Sequence, residues 1–170
     1  MQRFRIVVPI AVVACLTLDL AAYQTTVGGQ LSLAGYPQQT AQADLTLSPS
    51  ARQLTGAELR ERMSNKTFRG EYLLSSNYRT EGVSWTEYYA PNGRLVYRER
   101  GQYLHGRWSI EGDEVCFVYD PPADGVRHCT RTFDDGGILK DVASSGKDAG
   151  KVIGHVTSIE DGNPASLPLE

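Results

Sequence analysis

From Thr67 to Ile159 the chain keeps a rhythm: stretches of alternating apolar and polar residues are broken every eight to twelve residues by turn signals. A period of two turns one face of each stretch toward a core and the other toward water, as antiparallel strands require and helices do not. The alternation predicts strands at Thr67–Leu74, Val83–Tyr89, Arg94–Arg98, Tyr103–Ile110, Glu114–Tyr119, Val126–Phe133, Ile138–Val142 and Lys151–Ile159. Between them, Ala90-Pro91-Asn92-Gly93 sets a proline where its fixed φ favours a turn and a glycine where positive φ costs little. Glu111-Gly112-Asp113 and Asp134-Asp135-Gly136-Gly137 punctuate the chain in the same way.

The implied fold is mainly β: an antiparallel meander of seven or eight strands that closes into a small lipocalin-like barrel or a twisted sandwich. One short helix precedes it. In Leu54–Met63, Thr55 is placed to cap, Glu58 stands three residues on as its capping-box partner, and Leu54, Leu59 and Met63 supply an apolar side.

Cysteine placement fixes one hairpin more closely. Cys116 and Cys129 flank the Pro121-Pro122-Ala123-Asp124 loop, and a disulfide between them sets them directly opposite each other. Val118 then faces Arg127 and Glu114 faces Arg131, while Phe117 meets His128 and Tyr119 meets Val126 on the other, more apolar face. No second CxxC and no HxxxH accompanies the pair, so no metal site is expected.

The N-terminal third reads differently. Arg3 and Arg5 followed by the apolar run Ile6–Leu18 make residues 1–22 a secretory signal, too short and too interrupted by Pro9 and Asp19 to read as a membrane span. Three processing sites compete. Val12-Val13-Ala14-Cys15 resembles a bacterial lipobox in which Cys15 is lipidated, whereas small residues also precede positions 23 and 44. Residues 23–53, rich in Gln, Thr, Ser, Ala, Gly and Pro, read as a flexible linker. Residues 54–164 form the β domain and 165–170 a tail. An exported chain left with two cysteines reads as one with a disulfide. The setting is thus the periplasm or the outer membrane, with secretion as the alternative, and the membrane is reached only through a lipid on Cys15.

A formal net charge of −3 gives no general attraction to nucleic acid. Locally, Arg94, Arg98, Arg100 and Arg107 face only Glu99, and with His105 and Tyr103 they make a candidate surface for a phosphate, a carboxylate or an acidic partner. His105 alternates with Leu104 and Trp108 and so shares the outer face of Tyr103 and Arg107. Trp85, Tyr88, Tyr89, Tyr97, Tyr103, Trp108, Phe117 and Tyr119 crowd into 35 residues. They serve either as barrel core or, with Trp85 and Tyr89 foremost, as the lining of a ligand pocket.

No nucleophile or phosphate-loop motif is present, and an enzyme would need Glu87, His105 and Arg107 to converge. Paired acids such as Asp134 and Asp135 sit at turns and fall short of a calcium ligand set.

The string WTEYYAPNGRLVYRERGQYLHGRWSIEGDEVCFVYDPPADGVRHC, Trp85–Cys129, resembles an uncharacterised group of small exported bacterial proteins with a "TEYYAPDGR" turn, a "GRWxIEGDxxCFxY" stretch and a second cysteine. The resemblance runs over roughly Leu54–Pro164 and implies export, a disulfide and a β-meander. It transfers no catalytic residue.

The chain is therefore expected to be an exported envelope protein, without a cofactor and monomeric, that binds a small ligand or another protein without catalysis. The alternative is an inhibitor of an exported lysozyme or protease, working through the Pro121–Gly125 loop or the Ala90–Gly93 turn.

Overall fold

The computed structural model describes residues 45–76 and 79–169. The signal segment, Cys15 and the three processing sites lie outside the described residues.

Eight strands form a closed antiparallel barrel: β2 (Lys66–Tyr72), β3 (Ser84–Tyr89), β4 (Arg94–Glu99), β5 (Gln102–Glu111), β6 (Glu114–Tyr119), β7 (Arg127–Asp135), β8 (Ile138–Ala143) and β9 (Val152–Asp161). Each pairs with its neighbours in sequence, and β9 closes the ring on β2, from Lys66 opposite Asp161 to Tyr72 opposite Gly154. Closure leaves the ring without an edge strand. All eight predicted strands are present, each within two residues of its expected bounds.

The predicted helix is α1 (Gly56–Met63), and its capping box is complete. The Thr55 hydroxyl accepts the Glu58 amide, and the Glu58 carboxylate accepts the Thr55 amide at 2.9 Å. That carboxylate also receives Arg52 at 2.8 Å, and these donors hold Glu58 down to about 2. Gly56 is required where α1 meets the β5–β6 turn, because a Cβ there would lie 2.1 Å from the Gly112 carbonyl oxygen. Its amide instead donates to the Asp113 carboxylate at 2.7 Å. Leu54, Leu59 and Met63 are thereby set over one end of the barrel, in one core with Phe68, Leu95, Val115 and Leu139.

The cysteine hairpin has the expected register. Cys116 and Cys129 are disulfide-bonded, with Cα atoms 4.1 Å apart, and the ladder runs from Val115 opposite Thr130 to Val118 opposite Arg127. It stops one pair short of expectation at each end. Arg131 pairs with Val142 of β8, and exposed Val126 precedes β7.

Two boundaries move. The stretch read as linker is structured from its described start: Lys140 donates to the Thr46 carbonyl at 2.8 Å, and β1 (Arg52–Gln53) pairs with Asp134 and Phe133 where β6 has left β7. The stretch read as tail folds back as well. Asn163 receives the Leu167 amide at 2.9 Å and donates to the Leu167 carbonyl at 2.7 Å, which presses Leu167 and Ala165 onto Tyr88, Ala90 and Val96 outside the barrel. Val96, completely buried on a face that would otherwise meet water, is the apolar seat for this segment.

Candidate functional site

Two regions compete as the site: the barrel interior and its outer wall. Strand parity sends Trp85, Glu87 and Tyr89 inward together, alongside Tyr97, Trp108, Phe117 and Tyr119. The rings pack edge to face, with centroids 5.2 Å apart for Phe68 and Tyr89, 5.6 Å for Tyr89 and Trp108, and 5.9 Å for Tyr97 and Tyr119. Under α1 the interior cavity bounded by Leu59, Phe68, Phe117 and Asp141 is about 10 Å³, room for one water molecule. These six rings are thus core, while Tyr88 and Tyr103 lie on the outer face. Trp85 and Tyr89, expected to line a binding surface with the arginines, are buried on the opposite side of the wall from them.

The same interior carries a polar ladder that the alternation did not announce. Glu87 is buried midway along the barrel and accepts the Tyr89 hydroxyl at 2.6 Å and the Tyr119 hydroxyl at 2.9 Å. Burial pushes its carboxyl up to about 7 against these two hydrogen bonds, with the Asp141 charge adding to the rise. Asp141 accepts the Thr132 hydroxyl at 2.7 Å, and burial raises it to about 6. Neither acid forms an ion pair among the described residues. Toward the other end, Tyr72 and Tyr97 hydroxyls meet at 2.9 Å and Tyr97 donates to Glu99 at 2.5 Å. Burial, then neighbouring hydroxyls and carboxylates, raises Tyr89, Tyr97 and Tyr119 far above the usual phenol range. They remain neutral donors. The parity of Trp85, Glu87 and Tyr89 was the signal for an inward carboxylate, masked because Thr86 and Tyr88 give the outward face a similar look.

This placement separates the three residues an enzyme would have needed together. Glu87 lies inside, whereas His105, opposite Val96, and Arg107, opposite Arg94, lie outside. The acidic turn is committed to the fold. Asp135 accepts Ser48 and pairs with Lys140 at 2.8 Å, while Asp134 accepts the Gly137 amide at 2.9 Å. Glu114, Cys116 and Cys129 cluster closely, but the two sulfurs are bonded to each other and offer no thiolate.

Outside, the arginines divide into two rows. Arg94 of β4, Arg107 of β5, Val118 of β6 and Arg127 of β7 stand in cross-strand register, with Arg94 3.5 Å from Asp120 and Arg127 paired to Glu111. Arg69 of β2, Thr86 of β3, Arg98 of β4 and exposed Tyr103 of β5 form the second. Arg100, in the β4–β5 turn, lies 3.8 Å from Glu99 and joins neither. Between the rows His105 is half-buried beside Val96. Arg69 and Thr86 were missed because they lie 29 and 12 residues before Arg98 and only the barrel brings them together.

A shallow open groove of about 450 Å³ lies elsewhere, along Leu45, Leu47, Leu74 and Val152 with Lys151 at its rim. No helix among the described residues is long and apolar enough to cross a membrane. Comparison with protein-family models, curated proteins and solved structures finds no match to the chain.

Proposed function

We propose that this chain is an exported, non-enzymatic protein of the cell envelope that binds its ligand or protein partner with the outside of its barrel. The carrying observation is the filled interior: packed rings and a cavity of about 10 Å³ leave no lumen for an apolar ligand. Export is supported by the charged and apolar N-terminal segment together with the Cys116–Cys129 bond, which suits an oxidising compartment. A resemblance to small exported bacterial β-proteins points the same way.

Two measurements test this reading. The intact mass of the protein from its native envelope shows a diacylglycerol-sized addition on Cys15 or a start near Tyr23 or Asp44; an unprocessed Met1 would end the export reading. An apolar fluorophore such as aminoanthracene stays unbound, and saturable uptake inside the barrel would end the outer-wall reading.

A second reading is favoured by one observation. Pro121, Pro122, Asp124 and Gly125 are exposed in the loop two ladder pairs beyond the disulfide, and the loop is shaped from within by Ala123 donating to the Asp120 carbonyl at 3.1 Å and Val126 to Asp124 at 2.8 Å. An exposed loop on a stapled base suits inhibition of an exported hydrolase. A panel of lysozymes and proteases unaffected by stoichiometric protein would remove it.

A further inference from the structure

We propose that Arg69, Thr86 and Arg98 form an oxyanion site on the outer wall that takes a phosphate group. Cross-strand register sets the three in one row over β2, β3 and β4. The two guanidinium groups converge on a single atom: the Thr86 hydroxyl oxygen accepts Arg69 Nη1 at 3.4 Å and Arg98 Nη2 at 3.5 Å. The two cationic nitrogens are therefore no more than about 7 Å apart.

Like charges held that close repel unless an anion lies between or beside them. One carboxylate is near. Glu160 lies 3.5 Å from Arg69 Nη2, while Arg98 makes no ion pair among the described residues. The site thus keeps a net positive charge on a chain whose overall charge is −3. Thr86 is almost fully buried, yet its own hydroxyl proton has no acceptor among the described residues. Tyr103 continues the row and is 45% exposed, a fourth donor at its open end.

The geometry selects the ligand class. A planar carboxylate is best met by one guanidinium fork, whereas here two forks approach from opposite sides of a hydroxyl. A tetrahedral phosphate offers separate oxygens to Arg69, Arg98 and the Thr86 proton. That phosphate belongs either to a lipid headgroup or to a soluble phosphate ester.

The proposal rests on the outer wall as the binding surface, and the two fail separately. Uptake of an apolar probe into the barrel ends the outer-wall reading, whereas absence of phosphate binding ends this site alone. The experiment is an amide NMR titration of the purified protein with inorganic phosphate, against chloride at equal ionic strength. Expected are saturable shifts at Arg69, Thr86, Arg98 and Tyr103, at least tenfold weaker binding in Arg98→Gln, and unchanged binding in Arg60→Gln on α1. Arg69→Gln serves equally should Arg98→Gln fail to fold. Co-sedimentation with vesicles of phosphatidic acid in phosphatidylcholine, lost in Arg98→Gln, assigns the phosphate to a headgroup. Phosphate binding without co-sedimentation assigns it to a soluble ester. Shifts no different from chloride, or undiminished in both arginine variants, overturn the site.

Discussion

Beneath α1 the barrel is closed by Leu54, Leu59, Met63, Phe68, Val115 and Leu139, whereas from its waist to the far end it holds two hydrogen-bonded groups, Glu87 with Tyr89 and Tyr119, and Tyr97 with Tyr72 and Glu99. The capped end is held by area removed from water, a force without direction that accepts shape changes at moderate cost. The ladder gains little net free energy per hydrogen bond, but each partner removed leaves a buried polar group unsatisfied. The first region gives the barrel stability; the second fixes which side chains meet and makes the molecule sensitive to pH.

The strongest way to break this contrast lies at the capped end. Leu59→Ala should cost about 4 kcal/mol, because the side chain is 1% exposed on the inner face of α1 and its loss leaves a void in the capped end. Chemical denaturation would show it as a lower midpoint with an unchanged slope.

Next comes pH. Glu87 is raised from 4.5 in the unfolded chain to about 7 in the fold, so the folded state holds its proton more tightly. Stability is full below about pH 4.5 and falls by on the order of 3 kcal/mol as pH rises toward 7. Asp141, raised from 3.8 to about 6, contributes in the same direction over a lower window. Glu87→Gln should remove most of the slope between pH 5 and 7. A melting temperature as steep in pH as that of the parent protein would show that the carboxylate is not the source.

The staple between Cys116 and Cys129 belongs to neither end and provides a reference. Cys116→Ala should cost about 3 kcal/mol through the freed loop entropy of the unfolded chain. Its effect should add to that of Leu59→Ala, since Cys116 takes the opposite face of β6 from Val115, which packs with Leu59. The smallest effect sharpens the contrast from the ladder side: Tyr97→Phe keeps the ring and strands the Tyr72 hydroxyl and the Glu99 carboxylate, at about 1–2 kcal/mol. A cost near zero would mean that water replaces the lost hydroxyl.

What the sequence makes legible follows the same division. Local rules act over a few residues, so the Thr55 and Glu58 capping box, the strand order and the Cys116–Cys129 register could all be read directly. The outward parity of His105 followed from Leu104 and Trp108. Glu87 was hidden because Trp85–Tyr89 is large and mixed on both faces, so the period-two signal fades where the interior turns polar. The division of the arginines escaped because positions in a strand say which face a residue takes, not which strand stands beside it. Closure decides that, and it brings Arg69 beside Thr86 and both beside Arg98. Leu167 was concealed more simply: a leucine set between two prolines, Pro164 and Pro168, carries no period at all.

The seam between β2 and β9 sets the order of assembly. Every other pairing in the ring joins consecutive strands and can form as each hairpin is completed, but Lys66 meets Asp161 only across a sequence separation of 95. Such a long loop closes last and slowly. Until β9 is in place the sheet is a ribbon with bare backbone along both margins, open to pairing with another copy. Loss of β9 would therefore convert a self-contained ring into a polymerising sheet, which makes completion of the C-terminal strand the event that ends its hazard to neighbouring chains.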